Sequence, residues 1–149
     1  MRIRKSDWYQ TKVRYEKTLE DGRVKKAAEH YVVEASSHTE AEARIAEEMA
    51  CCINGEFEVA GIFPASYKEI FYSDRGPDEH WYKVKLHINK LDEKTDKEKR
   101  LTVHHLIQAA TPELAIQYVR NFIVGAMTDY SIVSITEPPI LDVFEDTNK

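Results

Sequence analysis

The sequence writes Trp-Tyr-x-x-Lys twice, WYQTK at residues 8–12 and WYKVK at 81–85, 73 positions apart. Both copies open stretches in which apolar and polar residues alternate. Tyr82, Val84, Leu86 and Ile88 share one face of a strand, while Trp81, Lys83, Lys85, His87 and Asn89 share the other. In the first copy Trp8, Lys12 and Arg14 oppose Tyr9, Val13 and Tyr15. On the strand that follows each copy, His30, Val32 and Glu34 match His104, Leu106 and Gln108 and fall on the tryptophan side. The candidate ligand-binding set is therefore Trp8, Lys12, Arg14, His30, Trp81, Lys85, His87 and His104. An indole beside cations can stack a base for about 1–3 kcal/mol while Lys and Arg follow the phosphates, so single-stranded nucleic acid or a free nucleotide is the ligand expected. The same pattern has a second reading. Each indole can cover a neighbouring module, helix or subunit with a lysine stem across its ring, which points to a protein-interaction module, either an inhibitor of a host factor or a homodimer through that face.

Other chemistries find no constellation. The histidines at 30, 38, 80, 87, 104 and 105 show neither H-x-x-x-H nor H-E-x-x-H spacing, no glycine-rich phosphate loop occurs, and no Ser or Cys lies in a nucleophile motif. His104 and His105 point to opposite faces of one strand and cannot chelate a metal as a pair. Cys51 and Cys52 are adjacent, too close for an ordinary disulfide, and are expected to be free thiols packed as small apolar side chains. A non-enzymatic protein without metal or cofactor is the expectation.

At 149 residues the chain fits one compact domain. No apolar run reaches the roughly 20 residues that a membrane span needs, and MRIRKSDWYQ lacks the apolar core of a signal peptide, so a cytoplasmic location without membrane contact is expected. The net charge of −5 conceals polarity along the chain. Residues 1–28 carry nine Lys/Arg against four Asp/Glu, residues 29–80 three against twelve, and residues 81–149 nine against ten. The basic arm suits phosphate and the acidic middle suits a basic partner.

The elements that position these residues also come twice. At the offset of 73, FEVAGIFPASYKEIF (57–71) lies over YSIVSITEPPILDVF (130–144) with apolar residues meeting apolar ones, and Ala41, Ile45 and Met49 lie over Leu114, Tyr118 and Phe122 at helical spacing. Thr39 with Glu42 reads as a capping box, and Thr111-Pro112 as a second helix start. TLEDGR (18–23) and LDEKTDKEK (91–99) read as hairpin turns, while Gly61, Pro64 and Pro138-Pro139 mark breaks between short strands. The fold expected is α+β: an internally duplicated ββαββ module spanning about 8–72 and 81–145, joined by a polar linker at 73–80, with antiparallel sheets, two helices packed on one face and pseudo-twofold symmetry.

TKVRYEKTLEDG, SSHTEAEARIAEEM, GEFEV and LDEKTDKEK together resemble an uncharacterised family of small proteins from gut anaerobic bacteria and their phages, whose members carry only a domain-of-unknown-function label. The resemblance covers about residues 8–144, with TEAEAR its most specific piece. It implies a small cytoplasmic protein, in the host cytoplasm if phage-encoded, with no established active site to carry over. The two-module outline is also similar to that of the PUR-repeat and Whirly single-strand binders, although here the helix falls earlier in each repeat.

Overall fold

A computed structural model describes residues 1–124 and 129–146. It is α+β, with nine strands in two sheets and two helices among the described residues. In chain order these are β1 (Arg2–Arg4), β2 (Trp8–Thr18), β3 (Val24–Glu34), α1 (His38–Cys52), β4 (Phe57–Ala65), β5 (Tyr67–Tyr72), β6 (His80–Leu91), β7 (Glu98–Ala109), α2 (Pro112–Val124), β8 (Asp129–Thr136) and β9 (Ile140–Phe144). They form two compact units. Unit 1 comprises residues 1–6 and 67–138, and unit 2 residues 7–66 and the chain from Pro139 onward.

Unit 2 is built on a long hairpin. Alternation over β2 and β3 pairs Trp8 with Glu34 through to Thr18 with Val24, and Gly22 closes the turn at φ +85°, a conformation that a side chain would strain. The sheet order is β4-β2-β3-β9. Helix α1 lays Ala41, Ile45 and Met49 on Val13, Tyr31, Val33 and Ala35, as its sequence stripe predicts. Its cap sits two residues earlier than the sequence suggests. Ser37 is the N-cap and accepts from the Glu40 backbone N–H, while the Glu40 carboxylate reaches back to Ser36. Pro64 is tolerated because β4 is an edge strand, where a missing N–H costs no ladder bond.

Unit 1 has the sheet order β1-β5-β7-β6-β8. Its hairpin pairs Trp81 with Gln108 through to Leu91 with Glu98. Ala115, Val119 and Ile123 are the fully covered stripe of α2, packed with Phe71, Tyr82, Val84, Leu86, Ile107 and Ala109. The expected stripe of Leu114, Tyr118 and Phe122 lies one residue to the side and is half-buried at the margin of this core. The fixed offset of 73 misses it because the N-caps, Ser37 and Thr111, are 74 apart.

Three further expectations are corrected. The sheets are mixed, since β9 pairs parallel with β3 and β5 pairs parallel with β7. The strand that follows Ser66, β5, belongs to unit 1, and the strand that follows Pro138-Pro139, β9, belongs to unit 2. The stretch 73–80 accordingly joins β5 to β6 inside unit 1. Cys51 and Cys52 are free but exposed, because the last turn of α1 runs past Met49 and off the buried stripe. No helix of the described residues is long and apolar enough to cross a membrane.

Candidate functional site

The repeated tryptophans stand at the starts of their strands, Trp8 as the first residue of β2 and Trp81 as the second of β6, and both are closed to solvent, Trp8 at 2% and Trp81 at 3% exposure. Neither indole has a face on which a base can stack, which corrects the stacking role expected for them. Alternation assigns a residue to a side of a sheet but does not say whether that side is covered. Trp81 meets Tyr72 edge-on, with ring centroids 5.5 Å apart, and the Arg2 guanidinium lies 4.4 Å over the other partner of that pair, the Tyr72 ring. The cation-aromatic contact is therefore structural and belongs to tyrosine.

Farther along the same face, toward the hairpin tip, the remaining unit 1 candidates come together. Lys85 stands opposite His104 on one side and Ser134 on the other, and His87 opposite Thr102 and Ser131. Lys83 stands opposite Thr136 and passes 5.9 Å over the Tyr67 ring. Lys83, Lys85, His87 and His104 are half-buried, and the Ser and Thr side chains are exposed. Burial, with the neighbouring ammoniums of Lys83 and Lys85, pushes His104 below the usual imidazole range. The group forms a patch of two lysines, two histidines and four hydroxyls with no carboxylate in its rows. The carboxylates that border it are Asp129, which accepts from the Asn89 amide at 3.2 Å, and Glu137, the residue after Thr136, which pairs with His80 at 3.0 Å.

The unit 2 candidates are more dispersed in character. Lys12 stands opposite His30 and Gly61, but Arg14 stands opposite Glu58 and Glu16 opposite Lys26, so cation and carboxylate alternate there. This face does carry an open aromatic ring that sequence reasoning missed. Phe63 is 65% exposed, stands opposite Gln10 next to Lys12, and lies so close over Gly61 that a Cβ there would sit 3.1 Å from the ring. Its place on an edge strand, directly before Pro64, was the available signal.

Two polar clusters also went unread. In unit 2 Glu29 accepts from both Tyr15 and Tyr31 at 2.5 Å, and burial with the Glu29 carboxylate pushes the Tyr31 phenol above its usual range. In unit 1 Asp78, 3% exposed, accepts from Ser73 Oγ, from Tyr118 at 2.7 Å and from the Ala110 N–H at 2.8 Å. Burial alone would raise its pKa, but these donors and Arg75 outweigh it and hold the carboxyl below its ordinary value. The cluster ties the β5–β6 connection to the start of α2. Among the described residues no group of His, Cys, Asp and Glu could hold a metal ion.

Comparison with curated proteins and with solved structures found no match to the chain. A family model does match, over residues 7–146, nearly the whole length and every element from β2 to β9. The chain is thus a member of the family described as Domain of unknown function (DUF4494).

Proposed function

We propose that the chain is a non-enzymatic binding protein that takes single-stranded nucleic acid or a nucleotide by its phosphates on the open part of the unit 1 sheet face. The observation that carries this reading is the carboxylate-free patch of Lys83, Lys85, His87 and His104 with Thr102, Ser131, Ser134 and Thr136. Ammonium, imidazole and hydroxyl donors set on rigid strands suit phosphate oxygens, and the absence of a carboxylate in their rows leaves the local field positive. The ligand is held by its backbone, and the tryptophans hold the sheet. Such a ligand places the protein in the cytoplasm.

The two units are, in this reading, copies of one ββαββ module related by a pseudo-twofold axis, which have exchanged their last strands. Supporting it, bulges fall between Lys12 and Val13 on β2 and between Lys85 and Leu86 on β6, at the offset of 73. The parallel pairings likewise match, His30 with Ile140 and His104 with Tyr67, each followed by a register shift. Bulges are placed by local sequence, so agreement in kind and position favours common origin. Unit 2 has traded the uniform cationic patch for mixed charge and Phe63, an open aromatic that favours a protein partner at that edge as a second reading.

A fluorescently labelled 20-nucleotide single strand, titrated at about 50 mM salt, tests the nucleic-acid reading. Lys83→Glu/Lys85→Glu is expected to weaken binding at least about tenfold, since each reversal removes a phosphate contact and adds repulsion. Lys17→Glu/Lys25→Glu, at exposed positions of the unit 2 hairpin, is the control and should change it little. Equal losses from both pairs, or no binding by the unaltered protein, would defeat the assignment.

A further inference from the structure

We propose that unit 1 carries a separate small-molecule site, a cavity of about 370 Å³ between β1, the start of the β5–β6 connection and α2, which takes the apolar body of a small organic anion and holds its charge at Arg75. The proposal does not depend on the phosphate-binding patch. The volume lies in the lower part of the range for small-molecule sites, and the lining follows their usual plan of apolar walls with a few polar groups.

The walls are Phe71, Phe122 and Tyr118, with Ile3 on β1. Phe71, itself closed to solvent, meets Phe122 edge to face, centroids 5.1 Å apart at 79°, and so fixes the half-buried Phe122 ring at the base of the recess. Ile3 lies on the α2 side of β1, opposite Phe71, yet keeps 40% of its surface exposed. An aliphatic side chain left open beside two fixed rings is surface that a ligand would cover at a gain of about 25 cal/mol per Å².

The mouth is polar and is built. Arg75 and Asn121 stand at it, and Arg75 Nη1 donates to the Tyr118 hydroxyl at 3.4 Å. Tyr118 in turn donates to buried Asp78, and the Arg75 backbone N–H donates to Ser73 Oγ, itself a donor to Asp78. One buried carboxylate thus fixes both the loop and the tyrosine that carry the guanidinium. Asp74 also lines the cavity, where its 87% exposed carboxylate stands 3.9 Å from the Met1 ammonium, a cation that offsets its charge beside Arg75. Guanidinium and amide donors beside an apolar recess select a carboxylate or sulfonate on an aromatic or branched aliphatic body.

The probe is 8-anilinonaphthalene-1-sulfonate, with uncharged N-phenyl-1-naphthylamine as its counterpart, both followed by fluorescence enhancement on the full chain. The unaltered protein is expected to bind one equivalent of each. Arg75→Gln should weaken the sulfonate about tenfold and change the neutral dye less than about twofold, since a charge-assisted hydrogen bond is lost only for the anion. Asn121→Trp, which lays an indole across the mouth from an exposed helix position, should abolish both. Thermal melts of the two variants should match the parent because neither position is buried. Failure of either dye to bind one-to-one, or binding that survives Asn121→Trp, would overturn the cavity as a site. Equal sulfonate affinity in Arg75→Gln would overturn its assignment to an anion.

Discussion

Trp8→Ala and Trp81→Ala are each expected to lower the free energy of unfolding by about 3–5 kcal/mol, as much as truncating a large side chain at the centre of either helix-sheet core. Both rings are fully buried, and Trp81 also supports Tyr72, whose ring carries Arg2. The penalty combines lost transfer energy with the cavity left behind, and an indole leaves the largest one. Trp8 lies nearer the lower bound, because its Nε1 is buried without a hydrogen-bond partner and that cost disappears with the ring. Ile45→Ala, in the fully buried stripe of α1, should cost a comparable 2–5 kcal/mol or so. Phe122→Ala should cost less, since that ring is half-buried beside the α2 stripe. Chemical denaturation of the four variants checks the ranking. Tryptophan variants as stable as the parent would show rings free for a ligand, contrary to the packing described.

The second large effect is a loss of stability in acid that passes through His105. This side chain is 2% exposed, with its ring centroid 5.4 Å from that of Phe71 and 6.3 Å from that of Phe122. Burial first, and Lys68 and His104 next, push its pKa down to about 4 against a backbone hydrogen bond at Glu69 that raises it. The unfolded chain takes up this proton near pH 6.5 and the folded chain only near 4. Between those values the unfolded state binds more protons, so stability falls as the pH is lowered through that window and is complete above it. A shift of this size amounts to about 3 kcal/mol. His105→Leu, which suits the surrounding rings, should flatten the stability profile between pH 6.5 and 4. A parent profile that is already flat there would refute the assignment.

Much of this architecture could be read from residues alone. Alternation in WYKVKLHINK gives a long half-buried strand, Asp-Gly at 21–22 gives a hairpin, and the Ala41, Ile45, Met49 stripe gives the buried face of a helix. These are local signals, each carried by one element. The parallel pairings of β5 with β7 and β9 with β3 join segments tens of residues apart, and nothing in YKEIFY or ILDVF names its distant neighbour. The candidate face is half legible for a related reason. Lysine and histidine positions follow from alternation, whereas the closure of Trp8 and Trp81 depends on which part of a sheet face is covered, a property of the assembled chain. Asp78 reads as a solvated linker residue in SDRGPDEH until the fold brings Ser73, Ala110 and Tyr118 around it.

The central claim is that ligand meets the cationic, hydroxyl-bearing part of the unit 1 face and leaves the tryptophans untouched. Nuclear magnetic resonance titration of the labelled protein with a short single strand tests it residue by residue. The account predicts the largest amide shifts at 83–87, 102–104 and 131–136, with the two indole N–H signals unmoved. Indole signals that move first, or an unperturbed 83–87 segment at saturation, would contradict it.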